Sequence, residues 1–280
     1  MSAERPRFAS RIGTLLTLIG VAVGLGNIWR FPYMVGEFGG AAFVLLYLVM
    51  AGGVGVPALM AEWALGRRTR RGTVGAFEAG GLPAGRFVGW FFFLVVCAAT
   101  AYYTNVVGWV LYHAAAEVAR LLGGHIEAAR ILPPDTGFDP GSFARQLGMT
   151  LVVVALCVTV LLRGLREGAE RVSTVLVPAI LAMLIALVVR SLTLPGAGEG
   201  LAWYLGKLEW GAISPSVVLG ALGQAVFSMS LGGTFMVVYG SYLDDDTRLG
   251  PSAGLTALGD TTAGLLAGLA IFPAVFALGL

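Results

Sequence analysis

The sequence predicts an all-α, polytopic membrane protein, and three observations carry that prediction. Hydrophobic residues fill 57% of the 280 positions and charged residues only 12%, with a mean hydropathy of +0.84, whereas an ordinary soluble domain carries about 25% charged residues. Apolar stretches long enough to cross about 30 Å of hydrocarbon, on the order of 20 residues each, can be drawn at residues 12–36, 41–66, 87–122, 146–162, 172–193, 214–243 and 254–280. The first and sixth of these are interrupted by glycine and polar residues at a depth where a continuous helix would be the stable choice. Residues 1–280 therefore read as one transmembrane domain in a lipid bilayer.

The composition also excludes other classes. A net charge of +2, with the basic residues confined to short loops, gives no footprint for nucleic acid. Cys97 and Cys157 both lie in apolar runs and read as small buried hydrophobes, without metal-ligand spacing. His113 and His125 have no ligand-like or triad-like neighbours, and no HExxH, GxSxG or phosphate loop occurs, so the chain is not read as an enzyme. The N-terminal MSAERPRFASR is basic but leads into a glycine-interrupted span without a small-residue cleavage site, unlike a removable signal peptide.

The first span holds Gly20-Val21-Ala22-Val23-Gly24-Leu25-Gly26-Asn27-Ile28-Trp29-Arg30-Phe31-Pro32. Its glycines loosen the helix, and Asn27, Arg30 and Pro32 place polar and helix-breaking groups at membrane depth. Irregular backbone is tolerated there only where protein or a wet cavity satisfies it, which marks a binding site. Between the spans, the Lys and Arg distribution sets orientation. Arg5, Arg7, Arg11, Arg67, Arg68, Arg70, Arg71, Arg86, Arg163, Arg166, Arg171 and Arg248 outnumber Arg120, Arg130, Arg145, Arg190 and Lys207 on the opposite side. The N-terminus is therefore expected in the cytoplasm, at an inner or plasma membrane.

The segment 123–145, with its Pro133-Pro134-Asp135 and Asp139-Pro140-Gly141, reads as an irregular outer loop, and residues 163–171 as a short charged turn. Asp244-Asp245-Asp246 reads as a solvated turn. In the sixth span, Gly223-Gln224-Ala225-Val226-Phe227-Ser228-Met229-Ser230-Leu231-Gly232-Gly233-Thr234 repeats the interruption seen in the first. Interrupted helices at corresponding places of two repeats point to the midplane site of a secondary transporter, and an inverted repeat of five plus five spans makes spans one and six equivalent. Close helix packing through small residues is the plainer reading of the second run taken alone.

These residues resemble the neurotransmitter:sodium symporter family, of the bacterial sodium-dependent amino-acid transporter type. The resemblance rests on Arg5 and Arg11, on the Gly20–Tyr33 run, on Gly39 to Phe43, and on Glu62 to Arg67. It continues through Tyr102-Tyr103, Arg163-Gly164 to Glu170-Arg171, Gln224 to Gly232 and Ala267 to Pro273. It implies an inverted-repeat transporter fold with helices 1 and 6 broken, and sodium-coupled symport of an amino acid or related zwitterion by alternating access. Since the family has ten core spans, the chain is expected to be truncated after about seven, and the 280 residues alone are expected not to transport. A substrate-binding but non-transporting receptor or scaffold, or an inactive fragment, is the alternative.

The resemblance also implies a site. The substrate carboxylate falls to the Leu25 and Gly26 amides and the Tyr103 hydroxyl. Its ammonium falls to carbonyls of Ala22 and Phe227 with help from Ser230, while Phe227 and Tyr103 form an outer lid. Ser228 belongs to both substrate and sodium surroundings, and Ala99 and Gly233 line the side-chain pocket. The first sodium site maps onto the Ala22 carbonyl, Asn27, Ser228 and Asp260, all oxygen donors as a hard cation requires. The second, partial here, takes the carbonyls of Gly20 and Val23. Asp260 stands where relatives commonly carry Asn, and Gly264 supplies neither hydroxyl nor carboxylate at the chloride position beside Tyr47, Gln224 and Ser228. An internal acid in place of the anion implies chloride independence. Arg30 and Arg5 match the outer and inner gates, and Glu62 reads as a partner for a cytoplasmic arginine.

Overall fold

The computed structural model describes residues 7–81, 83–206, 208–232 and 234–279, the Ala212 side chain aside, and their regular structure is all helical, with no strand among the described residues. The helices are α1 Arg11–Ala22, α2 Gly26–Phe38, α3 Ala41–Thr69, α4 Thr73–Ala79, α5 Gly85–Leu121 and α6 Pro140–Leu162. They continue as α7 Leu165–Leu192, α8 Ala197–Leu201, α9 Pro215–Ser228, α10 Phe235–Gly240 and α11 Leu249–Leu278. Among the described residues five helices are long and apolar enough to cross a membrane, and six if α1 and α2, bent by 50°, are one span. This is a multi-pass membrane protein.

The chain forms two compact units, one from the residues up to Trp90 together with those from Leu165 onward, the other Phe91–Gly164. In the first unit α11 packs on α7, α1, α2 and α3, and α10 lies along α3. The last contact is very close. A Cβ on Gly66 would stand 2.0 Å from the Val237 carbonyl oxygen, and one on Gly240 would stand 2.7 Å from the Trp63 Cα. In the second unit α5 and α6 meet through polar groups inside apolar helices. Asn105 donates to Gln146 at 3.3 Å and accepts from Thr150 at 3.2 Å, bonds of the kind that join helices where water cannot compete.

Two segments depart from the expectations above. α6 begins at Pro140, six residues before the apolar stretch drawn from 146, because Asp139 is an N-cap that accepts from the Gly141 and Ser142 amides at 3.1 and 2.7 Å. Asp-Pro-Gly is thus a helix start with proline at its first position, and not only a loop signal. Those two amides hold the Asp139 carboxyl below the usual carboxylate range. The 163–171 segment is likewise no simple turn: Leu165–Glu170 is a π-helical start of α7, and Glu170 is buried. Its carboxylate accepts from the Ala9 amide at 2.8 Å and the Ser10 amide at 3.2 Å, tying the segment before α1 to α7.

Candidate functional site

The site begins with a helix that stops. α1 ends in Ala22, and Val23 turns to extended backbone with φ −74° and ψ 113°. The Gly24 amide, which a continuous helix would direct to the Gly20 carbonyl, instead donates to Asn27 Oδ1 at 2.9 Å. The chain then re-enters a helix through a π turn over Gly26–Arg30, closed by the Phe31 amide on the Gly26 carbonyl. A stopped helix presents carbonyls and a starting one presents amides, so one point faces both a cation and an anion.

The second break lies opposite. α9 stops at Ser228 and α10 starts at Phe235, with Ser230, Gly232 and Thr234 at φ 54°, 72° and 62° between them. Left-handed backbone at Ser230 and Thr234, which are not glycines, is strained and has to be held by its surroundings. Three contacts hold it. Glu62 of α3 accepts the Gly232 amide at 2.7 Å, Thr73 pairs its hydroxyl with that of Thr234 at 2.9 Å, and Ser230 donates to the Val21 carbonyl at 3.0 Å. Glu62 is therefore the cap of the sixth-span break, not the arginine partner expected for it, and its other oxygen is buried without a partner among the described residues. The Ser230 hydroxyl closes the first break against the second.

Between the breaks sits a buried cluster of oxygen-bearing side chains. Asn27 Nδ2 lies 3.0 Å from Ser228 Oγ, 2.9 Å from the Asp260 carbonyl oxygen and 2.7 Å from Asp260 Oδ1. Ser228 also donates to Asp260 Oδ1 at 2.9 Å, and Tyr47 donates to Oδ2 at 3.2 Å. Asn27, Asp260 and Tyr47 are fully buried and Ser228 nearly so. Among the described residues no arginine, lysine or histidine enters this hydrogen-bonded set, and the donors that meet the carboxylate there are neutral. Hard oxygens from a carboxylate, a carbonyl, a hydroxyl and an amide suit an alkali cation. Among the described residues no three His, Cys, Asp or Glu side chains gather as they would around a transition metal.

Above the cluster, Gln224 ties the two breaks together. It donates to the Gly26 carbonyl at 3.1 Å and accepts from Arg30, whose guanidinium carbon lies 4.7 Å from the centre of the Phe227 ring. Gly26 packs tightly here, since a Cβ would stand 3.1 Å from that ring and the ring would have to give by a few tenths of an ångström. Of the other residues expected in the site, Gly20 faces Ser173 and Val177 of α7, and Val23 packs with Leu184, Ala263 and Ala267. The Ser173 hydroxyl stands 3.3 Å from a Cβ built on Gly20. Gly264 faces the Phe31 ring. Ala99 and Tyr103 share one face of α5 in the second unit, and Arg5 and Gly233 lie outside the described residues.

Residues 5–123 and 134–278, most of the chain, match the model of the sodium:neurotransmitter symporter family. The chain belongs to this family. A symporter-family structure, MhsT in complex with L-phenylalanine, superposes with a TM-score of 0.82 at 38% identity over 99% of this chain. An uncharacterized sodium-dependent transporter, YhdH of Bacillus subtilis, is 37% identical over the whole chain, and the mouse sodium-dependent neutral amino acid transporter B(0)AT3 is 30% identical over 96% of it. The chain spans 62% of the length of YhdH and of MhsT and 48% of B(0)AT3. The inverted-repeat fold with two broken helices is that of the family.

Proposed function

We propose that this chain carries the first sodium site and much of the substrate site of a sodium-coupled amino-acid symporter. The observation that carries the reading is the Asn27–Ser228–Asp260 cluster, a buried carboxylate with neutral donors only, wedged between two helix breaks. Sodium entering there would exchange hydrogen bonds among Asn27, Ser228 and Asp260 for coordination by their oxygens and the Ala22 carbonyl. Gly20 and Val23 would offer carbonyls to a second ion.

The substrate would stand beside the first ion. Its carboxylate would meet the Leu25 and Gly26 amides at the start of α2, with Tyr103 completing the contact, and its ammonium the carbonyls of Ala22 and Phe227 near Ser230. Ala99 would face its side chain. L-Phenylalanine, bound by MhsT, is the first probe, since the two proteins share 38% identity. Arg30 would close the outer side over Phe227, and Arg5 the inner side. With Asp260 supplying negative charge beside the ion and Gly264 offering no anion ligand, coupling would be independent of chloride. The Arg and Lys distribution supports an N-terminus in the cytoplasm, at an inner or plasma membrane.

The site residues of the first ion lie within one compact unit of this chain, so the purified chain itself provides the test. Sodium chloride and sodium gluconate are expected to raise its thermal midpoint equally, with a saturable dependence that potassium does not reproduce, because a ligand bound only by the folded state stabilises it. An equal response to potassium would overturn the sodium site, and a response to chloride alone would overturn the anion assignment. Sodium-stimulated binding of labelled phenylalanine then reads the substrate site.

A further inference from the structure

The corner between α4 and α5 lies outside the transport site and holds an open cavity of about 680 Å³, lined by Glu78, Ala84, Gly85, Arg86, Phe87 and Trp90. Glycine builds the corner. A Cβ on Gly85 would stand 2.3 Å from the Phe77 carbonyl oxygen, and one on Gly89 2.7 Å from the Val74 Cα, so the two helices touch backbone to backbone. That contact sets Glu78, near the end of α4, and Arg86, in the first turn of α5, on the rim of one cavity. They do not pair with each other, and neither side chain has an ion-pair or hydrogen-bond partner among the described residues. The wall between them is apolar, with Phe87 75% and Trp90 49% exposed where the apolar run of α5 begins. Aromatic residues at that place mark the membrane–water interface.

We propose that this corner binds a phospholipid headgroup carrying both a phosphate and a primary ammonium, the chemistry of phosphatidylethanolamine. Arg86 takes the phosphate, Glu78 accepts from the ammonium, and the acyl chains run along Phe87 and Trp90. Two opposite charges on one rim, neither paired among the described residues, favour a zwitterion. A purely anionic headgroup brings its phosphate to Arg86 but leaves Glu78 facing negative charge. A quaternary choline has no N–H to give Glu78, so it forfeits the charge-assisted hydrogen bond.

The test is a lipid titration of the purified full chain followed by native mass spectrometry, with phosphatidylethanolamine, phosphatidylcholine and phosphatidylglycerol of identical acyl chains. Phosphatidylethanolamine is expected to bind about fivefold more tightly than either of the others, the size of one charge-assisted contact at an exposed rim. Glu78→Gln should erase the difference between phosphatidylethanolamine and phosphatidylcholine, whereas Arg86→Gln should weaken both by a similar factor. Both side chains are exposed, and a control substitution in an exposed ion pair elsewhere, Glu117→Gln, should change nothing. Equal binding of the three lipids, tightest binding of phosphatidylglycerol, or a preference that survives Glu78→Gln would each overturn the assignment.

Discussion

Asp260 is fully buried and takes its hydrogen bonds from an amide and two hydroxyls, whereas Asp245, 74% exposed in its side chain, faces the guanidiniums of Arg70 at 2.5 Å and Arg7 at 3.6 Å. Both sit in the first unit, and both are aspartates beside a broken or ending helix. The difference lies in what balances the charge. Around Asp245 the protein supplies its own cations: Arg70 also donates to the Ser241 and Leu243 carbonyls, and Arg67 to those of Asp245 and Thr247. Around Asp260 the bonded partners among the described residues are neutral, and under the proposed function a cation from outside would balance the carboxylate. A buried carboxylate without a protein counter-ion is expensive to keep, which is why the proposed sodium site is placed there.

Removing the buried member should have the largest effect. Asp260→Ala takes the shared acceptor from Asn27, Ser228 and Tyr47, and it removes the only formal charge in the proposed coordination shell. Sodium affinity, read from the sodium-dependent rise in thermal midpoint, should fall by at least ~100-fold, equivalent to about 3 kcal/mol. Asp260→Asn keeps an oxygen but not the charge and should fall between alanine and the native chain. A native-like sodium response in the alanine variant would break the comparison, because the charge would then be idle.

Glu62 supplies the intermediate case, a half-buried carboxylate that caps backbone. It accepts the Gly232 amide in the strained segment between α9 and α10. Glu62→Ala leaves that donor without its acceptor, a loss of about 1–3 kcal/mol, and should lower the thermal midpoint by about 2–4 °C for each kcal/mol in a protein of this size. Glu62→Gln retains an acceptor oxygen and should recover most of the loss. If glutamine were as damaging as alanine, the negative charge rather than the hydrogen bond would be what the segment requires.

These three carboxylates were not equally legible in the sequence. The breaks themselves were, because Gly24, Gly26 and Asn27 in an apolar span, and the glycine-rich run after Ser228, contradict a stable membrane helix by composition alone. Asp260 drew attention only through the family resemblance, which maps it onto the first sodium site where relatives commonly carry Asn. Glu62 did not, since a charge one turn from Arg67 near the end of a span looks like an ordinary surface pair. Its real partner is a backbone amide 170 positions away, and nothing local encodes that meeting. The same holds for Gln224 on the Gly26 carbonyl and Ser230 on the Val21 carbonyl. The Asp244–Asp246 turn read as solvated; its exposure agrees, but its order comes from arginines at positions 7, 11, 67 and 70 that only the fold brings near.

The surface cluster should give the smallest effect and the one most dependent on conditions. Arg70, by hydrogen bond and by charge, holds the Asp245 carboxyl below the usual carboxylate range. A folded-state value below the unfolded one means that the pair stabilises at neutral pH, where both states are ionised, and that this contribution fades as acid protonates the carboxylate at and below about pH 4. Asp245→Asn should therefore shift the thermal midpoint only slightly at pH 7, because Arg70 keeps the Ser241 and Leu243 carbonyls. The native and mutant chains should converge as the pH falls through that range. They should also converge in about 1 M salt, where the Debye length shrinks to about 3 Å and exposed pairs are screened. Melting both chains across pH 3 to 7 at two salt concentrations checks this. A difference that persists in acid and in salt would show that Asp245 acts through packing rather than charge, and would remove the surface half of the contrast with Asp260.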